Sequence, residues 1–93
     1  MDCFRRNYIV HGRVQGVGFR RFVARCANQC NVGGWVRNCP DGTVEIQVEG
    51  ESSLISRFID RVYEGNWFAE VEDIELFFET YTNNPTSEFF IKR

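Results

Sequence analysis

The residues that could do chemistry lie in one run, Gly12-Arg13-Val14-Gln15-Gly16-Val17-Gly18-Phe19-Arg20. It leaves a β-rich stretch and enters a segment with helical periodicity. A helix start exposes unpaired backbone N-H groups and a partial positive charge, and glycines let successive N-H groups curl around an anion without Cβ clashes. Arg20, in the first helical turn, can lean over the same pocket. The chemistry such a loop serves is the grip on a tetrahedral oxyanion. Two other phosphate loops do not fit. A Walker A loop needs Gly-Lys-Ser/Thr, which is absent, and Arg21 stands where a Gly-x-Gly-x-x-Gly would put its third glycine.

The surrounding charge agrees with an anion. Residues 1–40 carry seven arginines against one acid, Asp2, while residues 41–93 carry twelve acids against Arg57, Arg61, Lys92 and Arg93, for a net charge of −2. Arginine is the cation whose planar fork matches phosphate bidentately. A solvated basic surface would have the same composition, so charge alone leaves both readings open. With 93 residues, 43% hydrophobic and 26% charged, the chain has the length and mix of one globular domain, residues 1–93. No apolar run approaches the ~20 residues of a membrane span, and no apolar segment ending in small residues follows the N-terminus. A soluble, cytoplasmic and monomeric protein is expected.

The elements that must position the loop follow from periodicity. Tyr8 to Val14 reads as a strand. Phe19, Phe22, Val23, Cys26, Ala27 and Cys30 share one helical face, with Gly33 and Gly34 as the stop. Trp35 to Asn38, the Pro40-Asp41-Gly42 turn, and the alternating Val44, Ile46 and Val48 make a hairpin. Ser52 or Ser53 can cap a second helix with Leu54, Ile55, Phe58, Ile59, Val62 and Tyr63 on its apolar face, closed by Gly65. Val71 to Thr80 and Phe89 to Ile91 complete the strands. The order β-α-β-β-α-β plus a short terminal strand predicts an α/β two-layer sandwich, ferredoxin-like, with a mostly antiparallel sheet.

The run Gly12 to Arg20, followed by Gly34-Trp-Val-Arg-Asn38-x-x-x-Gly42-x-Val44 and Gly50, resembles the paired signature of the acylphosphatase family. Both halves match without gaps, and the likeness extends over essentially the whole chain to the final Phe-x-Ile-Lys-like strand. The resemblance implies a ferredoxin-like fold and hydrolysis of the carboxyl-phosphate bond in small-molecule acyl phosphates, without a metal or other cofactor. At matching positions it implies that the backbone of Gln15, Gly16, Val17, Gly18 and Phe19 cradles phosphate, that Arg20 binds and neutralises it, and that Asn38 orients the attacking water. Inorganic phosphate or sulfate would compete. The leaving group is a carboxylate, stable as an anion at neutral pH, so no general acid is required. Donors from the loop and one arginine suffice to position the group and stabilise charge on its oxygens. A phosphate oxygen of the substrate is the expected proton acceptor for the water.

The remaining reactive residues have plainer readings. Cys26 and Cys30, four apart on the apolar face, read as core thiols that do not pair with each other. No Cys-x-x-Cys occurs, so no metal site is expected. Cys39 stands where some family members carry a hydroxyl, and its thiol could make activity sensitive to oxidation. His11 reads as a structural or surface histidine, Trp35 and Phe77-Phe78 as sheet and core aromatics, and the acidic Glu70 to Glu79 stretch as a solvated strand face that guards an edge. The alternative function is a non-enzymatic or dependent phosphate-binding domain, as at the N-terminus of hydrogenase-maturation carbamoyltransferases. Those chains continue into cysteine-rich zinc modules, whereas this one stops at Arg93. RNA binding, the third reading, expects exposed aromatics on central strands. Thr43 to Glu49 has none, and a pI near 5.3 opposes backbone binding.

Overall fold

Alternation of apolar and polar residues in the strands, and a repeat of three to four in the helices, decide where each segment lies. A computed structural model describes residues 2–93. Its elements run β1 (Cys3–Arg13), α1 (Phe19–Cys30), β2 (Gly33–Asn38), β3 (Val44–Glu51), α2 (Ser52–Glu64), β4 (Glu70–Tyr81) and β5 (Phe89–Ile91). The five strands form one sheet in the order β4-β1-β3-β2-β5, antiparallel throughout except for the β2–β5 pair. This is the ferredoxin-like two-layer sandwich with a short terminal strand. The core lies between the helices and one sheet face, where Val10, Val44, Ile46 and Val48 from the strands meet Val23 and Ala27 of α1 and Ile55 and Phe58 of α2.

Topology positions the functional segments. β1 and β2 both run antiparallel to β3, so their C-terminal ends emerge at the same edge of the sheet. The loop after β1 and Asn38 at the end of β2 are therefore neighbours. β5 runs parallel to β2, which brings the residues after Ile91 to that edge as well.

Four sequence expectations change in detail. β1 begins at Cys3, five residues before Tyr8. Arg5, Arg6 and Asn7 have poor strand character alone, but here each faces a carboxylate: Arg5 Nε lies 3.5 Å from Glu49, Arg6 Nε donates to Glu79 at 2.6 Å, and Asn7 Nδ2 donates to Glu45 at 2.9 Å. Helix α1 ends on Asn31, in the left-handed conformation at φ 58°, ψ 43°, with its N-H turned back to the helix carbonyls. Gly33 and Gly34 instead open β2, where a Cβ on Gly34 would strike the Gln47 carbonyl of β3. Helix α2 is preceded by Glu51 in extended conformation with no side-chain cap, and Ser52 is its first residue, its Oγ accepting from Arg6 at 3.3 Å. Phe77 and Phe78 are exposed, not core. A register shift opposite Asn7 and Tyr8 leaves Phe77 unpaired, on an edge strand that the helices barely cover.

Cys26 and Cys30 are buried free thiols, and burial pushes the Cys26 thiol up. His11 Nε2 sits 3.2 Å from Glu75 in a partly exposed pair. Among the described residues no helix is long and apolar enough to cross a membrane.

Candidate active site

The loop between β1 and α1 turns on two left-handed glycines, Gly16 at φ 73° and Gly18 at φ 75°. Any side chain at these positions would be strained. Gly18 is also the N-cap of α1, and it offers no side chain to consume the helix's first N-H groups. The first helical bond is made by Phe22 N-H to Gly18 O, at 3.2 Å. No acid stands in the first turn. The N-H groups of the opening turn, and the positive end of the helix with them, are left for a ligand.

A cleft of about 280 Å³ opens over this turn, lined by Val14, Gly16, Gly18, Phe19, Arg20, Arg21, Asn38, Ile91 and Arg93. Three arginines and no Asp or Glu side chain stand on its wall. Of the sequence-predicted residues, Gly16, Gly18, Phe19, Arg20 and Asn38 come together here. Gln15 and Val17 belong to the loop but not to the wall. The Gln15 side chain crosses to the β2–β3 hairpin, where Nε2 donates to Cys39 O and to Thr43 O, both at 2.8 Å. It ties the loop to the turn that follows Asn38. The Val17 carbonyl faces away and accepts from Asn66 Nδ2 at 2.8 Å.

Asn38 forms the last pair of the hairpin ladder, opposite Val44. The turn beyond it is closed by Cys39 N-H to Thr43 O at 2.9 Å and Gly42 N-H to Cys39 O at 3.1 Å. Asp41 Oδ1 accepts from both the backbone N-H and the hydroxyl of Thr43, at 3.0 and 2.6 Å. Those bonds from Thr43 hold the Asp41 carboxyl below its ordinary range. The Asn38 side chain on this rigid corner has its Oδ1 buried without a hydrogen-bond partner. A buried acceptor left unpaired costs about 1–3 kcal/mol.

The charge asymmetry of the sequence is resolved by the fold. Arg5, Arg6, Arg13 and Arg37 pair with Glu49, Glu79, Glu70 and Glu45 across neighbouring strands. Arg20 and Arg21 have no ion pair among the described residues, and both face the cleft. Sequence reasoning missed Arg21, Ile91, Arg93 and Asn66. The first three reach the site only through the parallel β2–β5 pairing and the outward turn of α1. Asn66 looks like an ordinary loop asparagine after a helix-closing glycine, and no local pattern marks it.

Comparison with known proteins places the chain in one family. The acylphosphatase family model matches residues 6–91. A curated acylphosphatase of Geobacillus kaustophilus is 49% identical over 72 residues, covering 77% of this chain and 77% of that protein. The crystal structure of acylphosphatase from Bacillus subtilis superposes with a TM-score of 0.90 at 39% identity, covering 97% of this chain and 99% of that one. The crystal structure of T. kodakarensis HypF superposes with a TM-score of 0.78 at 35% identity, and there the match spans all of this chain but 12% of the other.

Proposed function

The chain belongs to the acylphosphatase family and hydrolyses acyl phosphates, and from that premise we propose that the Gln15 to Phe19 backbone and Arg20 hold the phosphoryl group while Asn38 orients the attacking water. The observation that carries this reading is that Asn38, whose side-chain Oδ1 has no hydrogen-bond partner in the protein, lines the same cleft as Gly16, Gly18 and Arg20. A water donating one hydrogen to that oxygen is held beside an anion gripped by the helix start. Its lone pair is then free to attack phosphorus.

Each step matches what the cleft contains. Backbone N-H groups hold the phosphoryl group in ground and transition state alike, and Arg20 stabilises the charge that spreads over the equatorial oxygens, a preorganised donor that need not reorganise as the reaction proceeds. The bond to the acyl oxygen breaks and its electrons leave with a carboxylate, which needs no proton at neutral pH. The cleft wall offers no Asp, Glu or His to take the proton of the water. A non-bridging phosphate oxygen accepts it, so that the products are a carboxylate and inorganic phosphate. Nothing in this sequence calls for a metal ion: the helix start and the arginines supply the positive charge. We place the protein in the cytoplasm as a monomer acting on small acyl phosphates, with inorganic phosphate or sulfate competing for the same donors.

The test is metal-free hydrolysis of benzoyl phosphate by wild type, Arg20→Ala and Asn38→Ala, each checked for folding by circular dichroism. Loss of one such stabilising group costs about 10²–10³ in kcat, and both folded variants should fall in that range or below it. Asn38→Asp should also be impaired, because a carboxylate beside the phosphoryl group repels it. A rate kept or raised by Asn38→Asp would overturn the assigned role. A folded wild type without turnover would favour the dependent phosphate-binding domain.

A further inference from the structure

The peptide between Val17 and Gly18 is held from outside the cleft. Asn66, in the segment that follows α2, donates from Nδ2 to the Val17 carbonyl at 2.8 Å. Its own Oδ1 accepts the Ala69 N-H at 3.1 Å, and the backbone bond from Ala69 N-H to Asn66 O at 3.3 Å closes the same short turn. The amide is thus fixed at both ends before it touches the loop. Gly18 leaves open space on this side: a Cβ built there would meet only Asn66 Nδ2, at 3.7 Å.

The bond matters because peptide units are rigid. In a trans peptide the carbonyl of one residue and the N-H of the next point in opposite directions, and this chain has no cis peptide bonds among the described residues. Val17 C=O points at Asn66, which is not part of the cleft wall, so Gly18 N-H points the other way. Gly18 lines the cleft. With glycine on both sides of Val17, this peptide would otherwise rotate with little steric resistance.

We propose that Asn66 is a positioning residue for phosphate: by anchoring the Val17 carbonyl it holds the Gly18 N-H aimed at the bound phosphoryl group. This deepens the hydrolytic reading above and rests on the loop being the phosphate cradle. The Gly18 N-H meets the phosphoryl oxygens before and during the reaction alike, so its loss weakens binding more than turnover.

Two variants isolate the donor. Asn66→Leu removes it without adding charge, and Asn66→Asp removes it while keeping an acceptor for the Ala69 N-H. The loss of the Nδ2 donor is what both have in common. The readouts are the dissociation constant of inorganic phosphate by calorimetry and the KM and kcat for benzoyl phosphate, with circular dichroism as the fold check. Losing one such hydrogen bond should raise the phosphate dissociation constant and KM together by about five- to tenfold in both variants, with kcat within about twofold. An unchanged phosphate affinity in either folded variant, or a fall in kcat with affinity intact, would overturn the proposal. If Asn66→Leu does not fold, Asn66→Ala, which also lacks the donor and adds no charge, decides it by the same criteria. A wild type that binds phosphate, loses affinity in these variants and yet does not turn over benzoyl phosphate would sink the hydrolytic reading and leave the positioning role standing.

Discussion

Gln15 holds two carbonyls at once, Cys39 O and Thr43 O, and so bridges the loop that grips the phosphate to the hairpin that carries Asn38. Two partly buried neutral hydrogen bonds are together worth about 1–3 kcal/mol. Gln15→Leu keeps the bulk and removes both donors, so it should lower kcat for benzoyl phosphate by about 5- to 100-fold by letting the water drift from its line of attack. Measured in a variant that still shows a folded spectrum, an unchanged kcat would mean the hairpin holds its position unaided. At this scale the sequence was legible where a residue acts through its local backbone. Gly16, Gly18 and Arg20 advertise an anion site by type and spacing, and the paired motif points to Asn38. Gln15 was legible only as part of a backbone cradle, because the reach of its side chain depends on the distance to a hairpin 24 residues away. Arg21 was ambiguous for a similar reason: seven arginines in the first 40 residues look alike until the fold shows which of them have acidic partners.

The elements were legible through their periodicity, and their ends were not. Both helices and all five strands lie where the apolar pattern predicts, because each buries one face against a common core. The errors sit at termini, where a single cap or cross-strand partner decides. Asn31 rather than a glycine takes the left-handed stop of α1, and charged partners extend β1 to Cys3. The β2–β3 turn gives a testable case of such local control. Asp41 titrates below its ordinary value because Thr43 donates two hydrogen bonds to its carboxylate. A carboxyl whose folded pKa is depressed contributes stability above its unfolded pKa of about 3.9, and loses that contribution as the pH falls through the lower folded value. The wild-type turn should therefore loosen below about pH 4. Asp41→Asn, which retains an acceptor but does not titrate, should show a shallower fall of Tm across the acid range. Identical acid limbs in thermal melts of the two proteins would remove Asp41 from the account.

Taken whole, the molecule carries a net charge of −2 and concentrates uncompensated positive charge at one end of its sheet. Cross-strand pairing uses up four arginines, and the acids of β4 line the edge of the sheet remote from β5, where they discourage pairing with another chain. An anionic substrate is thus drawn to the cleft by a local field, not by the overall charge. That field is screened over about 30 Å at 0.01 M salt and about 10 Å at 0.1 M. KM for benzoyl phosphate should rise severalfold between those concentrations of potassium chloride, with kcat nearly constant. A KM that stays flat would mean that only direct contacts draw the substrate in.

The parallel pairing of β5 with β2 has a consequence for the birth of the protein. The cleft wall is drawn from Val14 at one extreme and Arg93 at the other, and β5 is an edge strand whose one neighbour in the sheet is β2. On a ribosome, the phosphate loop and Asn38 are synthesised long before Ile91 and Arg93 can close over them. The growing chain therefore owns its chemical groups before it can close the cleft around them, and the wall is whole only once β5 has been made and has paired with β2.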